Sequence, residues 1–403
     1  MDKKFYVKNR EKLLSRLEDY SLVVLHATTP SVKSEDEDYE YTPNRDFLYL
    51  SGVNEANDVL VLYKGIEDEE FMFITRFDET KAKWVGRTYN EKEIKTMSGV
   101  DKIFYLDEME SIMNKFVKNH KVKKIYFDFN GYKEIKDSPN YRFYEVNFKK
   151  YLNKCYDVYP TLAQIRLVKE KEEVEEIKKA IHITNIALEE VKKNIKDGQS
   201  EKELEALFAY HIKRNGASDL AFNTICASGI HSCTLHYSSN TDTMHKGDVI
   251  LFDLGAEFNY YKADISRTFP VSGKFSPRQQ QIYDIVLGAQ QVTMNLAKPG
   301  VTIMELNDAI IKYYQVELKK IGLIKNDEEV KKYYFHSVSH PIGLDTHDVA
   351  MFNPRKNVKL EEGWIISNEP GLYIEEEKIG VRIEDDLYIT KDGCINLSEE
   401  IAK

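Results

Sequence analysis

The sequence has few cysteines, no long apolar run and no excess of positive charge. Its four cysteines, Cys155, Cys226, Cys233 and Cys394, form no CxxC pair and match no zinc-site spacing, which favours buried, inert thiols. No apolar run approaches the length of a membrane span, and the polar segment Met1–Arg10 lacks the apolar core of a signal peptide. These absences predict a cytoplasmic protein without a membrane segment.

The charge balance argues against nucleic acid as a partner. Lys and Arg total 57 and Asp and Glu total 67, so the formal net charge is −10. Binding to nucleic acid phosphates depends on Lys and Arg releasing counterions, and no block of these residues stands out. With 403 residues, of which 42% are hydrophobic, the chain is expected to form two domains.

Residues 1–160 are predicted to form a mixed α/β domain. Short apolar runs bounded by polar residues or glycine favour buried strands. These runs are Ser21–Leu25, Phe47–Leu50, Val59–Tyr63, Phe71–Ile74 and Ile125–Phe127. The charged segment Glu108–Asn119 is predicted to be helical, and the acidic segment Ser31–Asp38 is predicted to be an exposed loop.

Residues 161–403 contain two helix pairs, each followed by β-rich sequence with glycines, which indicates two related halves. The first helix has an apolar face with one polar interruption, at Thr184, and Gly198 is its expected C-cap. The apolar positions of that face are Val174, Ile177, Ile181, Leu188, Val191 and Ile195. Starts of three further helices are predicted at Ser200 with Glu203, at Ser276-Pro277 and at Thr302 with Glu305.

A first pair of acids lies in apolar segments at a spacing that suits a hairpin. The midpoint of Asp253 and Asp264 falls between Phe258 and Asn259. A two-residue turn at that point would place the two aspartates directly opposite each other, with Cβ atoms roughly 4.5–5.5 Å apart. Like charges this close repel unless a cation neutralises them or one is protonated.

A second pair repeats this arrangement near the C-terminus. The midpoint of Glu369 and Glu384 falls between Glu376 and Glu377, so a hairpin with an even loop would place the two glutamates face to face. The alternative, surface acids on amphipathic strands, explains a single residue better than it explains two matched pairs. Together the pairs predict a site with four carboxylates.

A histidine-rich segment lies between the two pairs. His336, His340 and His347, three of the ten histidines, fall within twelve residues that also contain Gly and Pro. Four carboxylates and one imidazole form a hard, oxygen-rich ligand set, which favours manganese, iron or cobalt over a thiolate zinc site. Two such ions roughly 3.5–4 Å apart can hold a bridging hydroxide and polarise a carbonyl. The residues alone therefore predict a dinuclear metal hydrolase and leave its substrate open.

Several motifs, in the right order, resemble those of the aminopeptidase P (Xaa-Pro aminopeptidase) branch of the methionine-aminopeptidase, or pita-bread, superfamily. They are Leu235-His236-Tyr237, Asp253-Leu254-Gly255, Ala263–Phe269, His336–Asp348, Glu369–Tyr373 and Arg382–Asp386. Asp46–Val53 and Trp84–Arg87 resemble the N-terminal domain of the same family. The resemblance implies an α/β protein with a smaller N-terminal domain, 1–160, and a pita-bread catalytic domain, 161–403.

The resemblance also implies a ligand set for two divalent metal ions, usually manganese. Equivalents of Asp264 and Glu384 bridge both ions in such enzymes, the equivalent of Asp253 holds one ion, and those of His340 and Glu369 hold the other. A bridging hydroxide is the implied nucleophile, and Glu369 is the implied proton shuttle.

Further residues are implied around this centre. His236 and His347 match histidines that bind substrate and stabilise the tetrahedral intermediate. His336 and Arg382 match positions whose hydrogen bonds orient the ligands. Trp84 is a candidate wall of the proline pocket, in its own or a neighbouring subunit's site; the alternative is a tryptophan packed inside the N-terminal domain.

The implied activity is release of the first residue from peptides whose second residue is proline, by a homo-oligomer, either a dimer or a tetramer. Prolidase, which prefers Xaa-Pro dipeptides, shares the metal ligands, but the N-terminal match favours aminopeptidase P. Methionine aminopeptidases usually lack so large an N-terminal domain. Creatinase-like hydrolases and non-catalytic pita-bread binding proteins typically lack the five ligands.

Leu254 and Ser266 stand where the family often has Ala and Thr, which are mild departures from the family motif.

Overall fold

The protein is described by a computed structural model that covers residues 1–352 and 358–403. The chain divides into two compact units, Met1–Arg166 and Leu167–Lys403. Within the described ranges, no helix is both long enough and apolar enough to cross a bilayer.

A mixed sheet forms the centre of the first unit. The strands of this unit are β1 Ser21–His26, β2 Val32–Ser34, β3 Glu37–Asp38, β4 Val59–Lys64, β5 Glu69–Ile74, β6 Lys102–Tyr105, β7 Lys124–Phe127 and β8 Cys155–Asp157. Its helices are α1 Lys3–Ser15, α2 Arg45–Ser51, α3 Glu79–Val85, α4 Glu91–Ser98, α5 Met109–Asn119, α6 Tyr141–Phe148 and α7 Tyr159–Leu167. The sheet has the order β6-β5-β4-β1-β7-β8, and β4 is antiparallel to both of its neighbours.

Apolar periodicity explains how α5 packs on this sheet. Met109, Met113 and Phe116 recur at helical spacing and are buried in one cluster with Phe71 and Phe127 of the strands. Four of the five predicted strands of this unit are present, and the predicted helix is α5.

Two predictions for this unit are wrong. Phe47–Leu50 lies in helix α2 and not in a strand, because Asn44 caps the N-terminus and Gly52 ends the helix with a positive φ of 70°. A short apolar run is equally compatible with a buried helix, and only its capping residues distinguish the two. Ser31–Asp38 is exposed as expected, but it contains the β2–β3 hairpin instead of an irregular loop.

The second unit contains two helix pairs and several short sheets. Its helices are α8 Lys171–Lys193, α9 Glu201–Arg214, α10 Pro277–Leu296 and α11 Ile303–Lys320. Its strands are β9 Asp219–Leu220, β10 Ile225–Ser228, β11 Val249–Leu254, β12 Ala256–Phe258, β13 Tyr261–Lys262, β14 Ile265–Pro270, β15 Ile365–Asn368, β16 Gly371–Ile374, β17 Ile379–Arg382, β18 Asp385–Ile389 and β19 Cys394–Asn396. Helix α8 packs on α9 and α10 packs on α11, and the described sheets are β10-β11-β14, β9-β12-β13, β15-β18-β19 and β16-β17.

The predicted helix starts are confirmed, whereas the predicted end of α8 is wrong. Capping boxes begin α9, α10 and α11. Helix α8 ends at Lys193 with Asn194 as C-cap, so Ile195 lies beyond it and Gly198, at φ 79°, belongs to the following turn. Thr184, the polar interruption of the apolar face, is fully buried. Its burial is tolerated because the hydroxyl donates to the Ala180 carbonyl and accepts from the Ala256 N–H.

The register of the first acid hairpin differs from the prediction. Asn259 and Tyr260 form the turn, with φ of 48° and 69°, which is the backbone geometry of a tight hairpin turn. Asp253 therefore pairs with Ser266, and Asp264 is diagonal to Asp253 rather than opposite. The turn lies one residue further along the chain than predicted, because its position depends on which residues accept positive φ.

All four thiols are free, but only Cys226 is buried, so the expectation of buried thiols is correct for that residue alone. Burial nevertheless raises the pKa of each thiol, to about 11 for Cys233. The neutral thiol form is therefore favoured at all four positions.

Removing the cap of α10 should destabilise the second unit. The Ser276 hydroxyl accepts the Gln279 N–H at 3.2 Å, so Ser276→Ala leaves that donor without its partner. We expect a loss of about 1 kcal/mol in the free energy of unfolding, measured as a lower urea midpoint. Ser276→Asp keeps an acceptor and should retain the midpoint; equal midpoints for wild type and the alanine variant would contradict the capping role.

Candidate metal centre

A cavity in the second unit gathers nearly all of the sequence-predicted site residues. Its volume is about 690 Å³. The predicted residues that line it are His236, Asp253, Asp264, His336, His340, His347, Glu369, Arg382 and Glu384. The other lining residues are Phe222, Asn223, Ile225, Leu235, Ser238, Ser337 and Thr346. Acids, imidazoles and apolar side chains therefore share one space.

Trp84 has a different environment. It lies on α3 of the first unit with 85% of its surface exposed. The alternative of a tryptophan packed inside that unit is therefore wrong.

The four acids lie within a strand or in the gaps between consecutive strands. Asp253 is in β11, Asp264 precedes β14, Glu369 lies between β15 and β16, and Glu384 lies between β17 and β18. The β15–β18 and β16–β17 ladders share one register, so Glu369 and Glu384, in the gap between the ladders, face each other as predicted.

His340 is oriented toward the acids by its own backbone neighbour. Its Nδ1–H donates to the Pro341 carbonyl at 3.1 Å, which leaves the Nε2 lone pair free to face the cavity. Nε2 lies 3.4 Å from Asp264 Oδ2 and 3.4 Å from Glu369 Oε1. One ligand atom from each of Asp264, His340 and Glu384 falls within 4.8 Å of the other two. Possible ligand atoms from three side chains therefore converge at one point.

The electrostatics of these acids indicate a missing positive charge. Burial, and then the charge of Asp253, raises the pKa of Asp264 well above its ordinary value. Burial, and then Asp264, does the same to Glu384, and burial also raises the pKa of Glu369. Asp253 Oδ1 is buried and has no hydrogen-bond partner among the described residues. A hard divalent cation fits this donor set and would relieve the repulsion.

Arg382 connects three side chains around the acids. It donates from Nη2 to Asp253 Oδ2 at 2.6 Å, from Nε to Ser266 Oγ at 2.8 Å and from Nη1 to Tyr373 Oη at 3.0 Å. Ser266 in turn donates to Glu384 Oε2 at 2.8 Å. Arg382 thus orients acids from both hairpins. Ser266 and Tyr373 lie within the matching motifs, but the sequence does not assign them to the site, because only the folded chain brings their hydroxyls to Arg382.

His336 is neutral in this arrangement. Its Nδ1–H donates to the Ser337 carbonyl at 2.8 Å, and Tyr373 donates its hydroxyl hydrogen to Nε2 at 2.9 Å. Burial, together with the charge of Arg382, lowers the pKa of His336 to about 3. Its Nδ1 lies 3.7 Å from Glu369 Oε2, so His336 is adjacent to the acids.

His236 and His347 are the exposed histidines of the cavity wall. The His347 ring centroid lies 4.2 Å from that of His340, at an interplanar angle of 57°. His236 follows the 3-10 turn Gly229–Cys233. Both rings are therefore accessible to a molecule that enters the cavity.

Removing one of the converging acids should remove bound metal. Asp264→Ala and Glu384→Ala each delete a carboxylate and leave the remaining acids close together, so we expect at least one fewer divalent metal ion per chain after dialysis, measured by plasma mass spectrometry. Glu375→Ala, at the exposed tip of the β16–β17 hairpin, is the matched control and should keep full metal content. Full metal content in Glu384→Ala would contradict the assignment.

Comparisons with known proteins agree with this geometry. The model of metallopeptidase family M24 matches residues 175–391, and that of the aminopeptidase P N-terminal domain matches residues 6–126. The Xaa-Pro aminopeptidase of Escherichia coli is 30% identical over 430 residues, covering 99% of this chain and 95% of that protein.

Two solved structures extend the similarity to the fold. A Bacillus anthracis protein assigned as an aminopeptidase P is 43% identical, with a TM-score of 0.95 over 100% of this chain and 96% of its own. Zinc-substituted E. coli aminopeptidase P in complex with product is 30% identical, with a TM-score of 0.90 over 100% and 96% of the two chains. The predicted α/β fold, with an aminopeptidase P-type N-terminal domain and a pita-bread catalytic domain, is confirmed. The chain belongs to metallopeptidase family M24, in its aminopeptidase P branch.

Proposed function

We propose that this chain is a Xaa-Pro aminopeptidase that releases the first residue from peptides with proline in second position. The observation that carries the proposal is the convergence of Asp253, Asp264, His340, Glu369 and Glu384 on one cavity. The full-length similarity to enzymes named for this activity supports the substrate class.

These five side chains would hold two divalent ions, for which we propose manganese. Asp264 and Glu384 would contact both ions, Asp253 would hold one, and His340 with Glu369 would hold the other. When bound, the ions would polarise the scissile carbonyl and lower the pKa of a water molecule. The four carboxylates and single imidazole, with no thiol in the cavity lining, support a hard ion.

Glu369 is the residue that we propose moves a proton. Its Oε1 faces His340 Nε2, and Oε2 lies near His336. Glu369 would accept a proton from the attacking water and donate it to the proline nitrogen that leaves.

His236 and His347 would hold the substrate from the cavity wall. Both side chains are exposed and line the cavity, and a ring N–H of each would donate to the scissile carbonyl oxygen, which gains negative charge in the transition state. Arg382 and His336, tied to the acids by Ser266 and Tyr373, would keep the ligands in place.

The choice of proline follows from its shape and its missing donor. Proline in second place offers no N–H to the enzyme, and its ring is a compact apolar group. Phe222, Ile225 and Leu235 add apolar surface to the cavity that contains the acids. A peptide with residues beyond the proline needs an open cavity, whereas a dipeptidase closes around a free carboxylate.

Assembly and compartment complete the proposal. The adjacent Trp84 and Val85 are 85% and 72% exposed, and exposed apolar surface of this kind supports a homo-oligomer, a dimer or a tetramer, in which Trp84 reaches a substrate site. Four free thiols suit a reducing compartment, the cytoplasm. We further propose 1–160 as the N-terminal domain and 161–403 as the catalytic domain.

The histidines should divide by role. His340→Ala should lower manganese content, whereas His236→Ala and His347→Ala should keep the metals and lower kcat by about 100-fold, the typical loss for a deleted oxyanion donor. His182→Ala, exposed on α8, is the control and should leave both quantities unchanged. Equal metal loss in all the cavity variants, or normal kinetics in His236→Ala and His347→Ala, would overturn the division.

The substrate preference separates the proposal from a prolidase. Manganese-loaded enzyme should release the first residue from Xaa-Pro-Xaa tripeptides faster than from Xaa-Pro dipeptides, and replacing the proline with alanine should slow release strongly. The measurement is kcat/KM from the liberated amino acid. A clear preference for dipeptides would assign a prolidase, and equal rates with proline and alanine would reject both.

A further inference from the structure

A buried carboxylate on α9 holds both ends of the segment that carries His236. Glu201 is the first residue of α9 and is 0% exposed. Its Oε1 accepts the N–H and the hydroxyl of Ser228 at 2.7 and 2.8 Å. Its Oε2 accepts the Tyr237 hydroxyl at 2.8 Å and the Asp242 N–H at 3.0 Å. One side chain therefore satisfies four donors spread over residues 228–242.

This segment forms part of the cavity wall. Leu235, His236 and Ser238 line the cavity, and apart from the turn Gly229–Cys233 the stretch between Ser228 and Asp242 contains no helix or longer strand. Its shape therefore depends on side-chain contacts with the rest of the unit and not on a continuous ladder.

Tyr237 transmits the contact from Glu201 to His236. Its hydroxyl donates its single hydrogen to Glu201 and accepts the Thr241 N–H at 3.2 Å. Its ring packs edge-on against that of His231, with the two ring centroids 4.3 Å apart. Because His236 precedes Tyr237 directly, fixing the tyrosine fixes the backbone from which the His236 ring projects.

A second, separate anchor lies one turn further along α9. Glu205 Oε2 accepts from Asn240 Nδ2 at 2.8 Å, and Asn240 Oδ1 accepts the Cys226 N–H at 2.9 Å. This anchor holds the far side of the segment independently of Tyr237, so we expect loss of the Tyr237 contact to shift the segment locally without unfolding it.

We propose that Glu201 is a positioning residue for catalysis, which acts through Tyr237 to hold His236 at the cavity wall. The inference rests on the proposed function, since it uses the assignment of His236 to the substrate. A carboxylate is required, because the Ser228 and Asp242 backbone N–H groups approach different oxygens. A glutamine amide could accept only one of them and would direct its own NH₂ at the other.

The decisive test is a double-mutant cycle between Tyr237 and His236. Tyr237→Phe removes one hydroxyl group and no carbon atom. For each variant, kcat and KM are measured on metal-loaded enzyme with a Xaa-Pro-Xaa tripeptide as the substrate. We expect kcat/KM to fall about tenfold through misplacement of His236, with unchanged metal content. In the His236→Ala background the same substitution should cause no further loss, because the residue that it positions is gone.

Two further measurements distinguish a general loss of structure from a displacement of the His236 ring. Tyr63→Phe is the matched control: Tyr63 is 4% exposed, and its hydroxyl donates to the His120 carbonyl at 2.6 Å in the first unit, so we expect unchanged kcat/KM. The ring resonances of His236 should move in both Tyr237→Phe and Glu201→Gln, while those of His182 stay in place.

The outcomes separate this inference from the proposed function. An equal fold-loss from Tyr237→Phe in both backgrounds, or unchanged kinetics and resonances in Tyr237→Phe, would overturn the positioning role while His236→Ala remains impaired. Wild-type kinetics in His236→Ala itself would overturn the role of the histidine and the inference with it. Since Tyr237→Phe is a minimal change, the test holds even where Glu201→Gln fails to fold.

Discussion

The mutual repulsion of buried carboxylates is the constraint on which the second unit depends. Burial raises the pKa of both Asp264 and Glu384, and neighbouring acids raise it further: Asp253 for Asp264, and Asp264 for Glu384. Asp385, the next residue along the chain, is equally buried, yet Arg267 and Lys403 offset its burial and hold its pKa below the ordinary value. Two cations of the chain thus neutralise Asp385. At the cavity, Arg382 pairs with Asp253, and divalent ions would neutralise the remaining acids.

Hydrogen bonds between distant segments of the chain form a frame around the cavity. Glu384 donates its N–H to the Ser266 carbonyl at 3.0 Å, and Arg267 Nη1 donates to the carbonyls of both residues. His340 donates its N–H to Ser367 Oγ at 2.9 Å. Hydrogen bonds therefore tie the segments that carry Glu384 and His340 to segments far away in sequence, and these contacts help to fix the positions of the two side chains.

Sequence patterns predicted what is local and missed what depends on tertiary contacts. Capping signals and apolar periodicity identified the four helices α8 to α11 of the second unit, and an even loop identified the register that opposes Glu369 and Glu384. The turn of the first hairpin was predicted one residue too early. It forms at Asn259 and Tyr260, which adopt positive φ, and the alternation of apolar and polar residues carries no information about φ. The four-donor contact of Glu201 joins segments up to 41 residues apart, and nothing in its own helix pattern distinguishes it from an ordinary first-turn glutamate.

The central claim is that the converging side chains surround two divalent ions. The most direct measurement is an anomalous difference map from crystals grown with manganese, recorded above and below the manganese absorption edge. The account predicts two peaks in the cavity roughly 3.5–4 Å apart, with Asp264 and Glu384 contacting both and His340 contacting one. A single peak at full occupancy, or two peaks outside the reach of these three side chains, would contradict it.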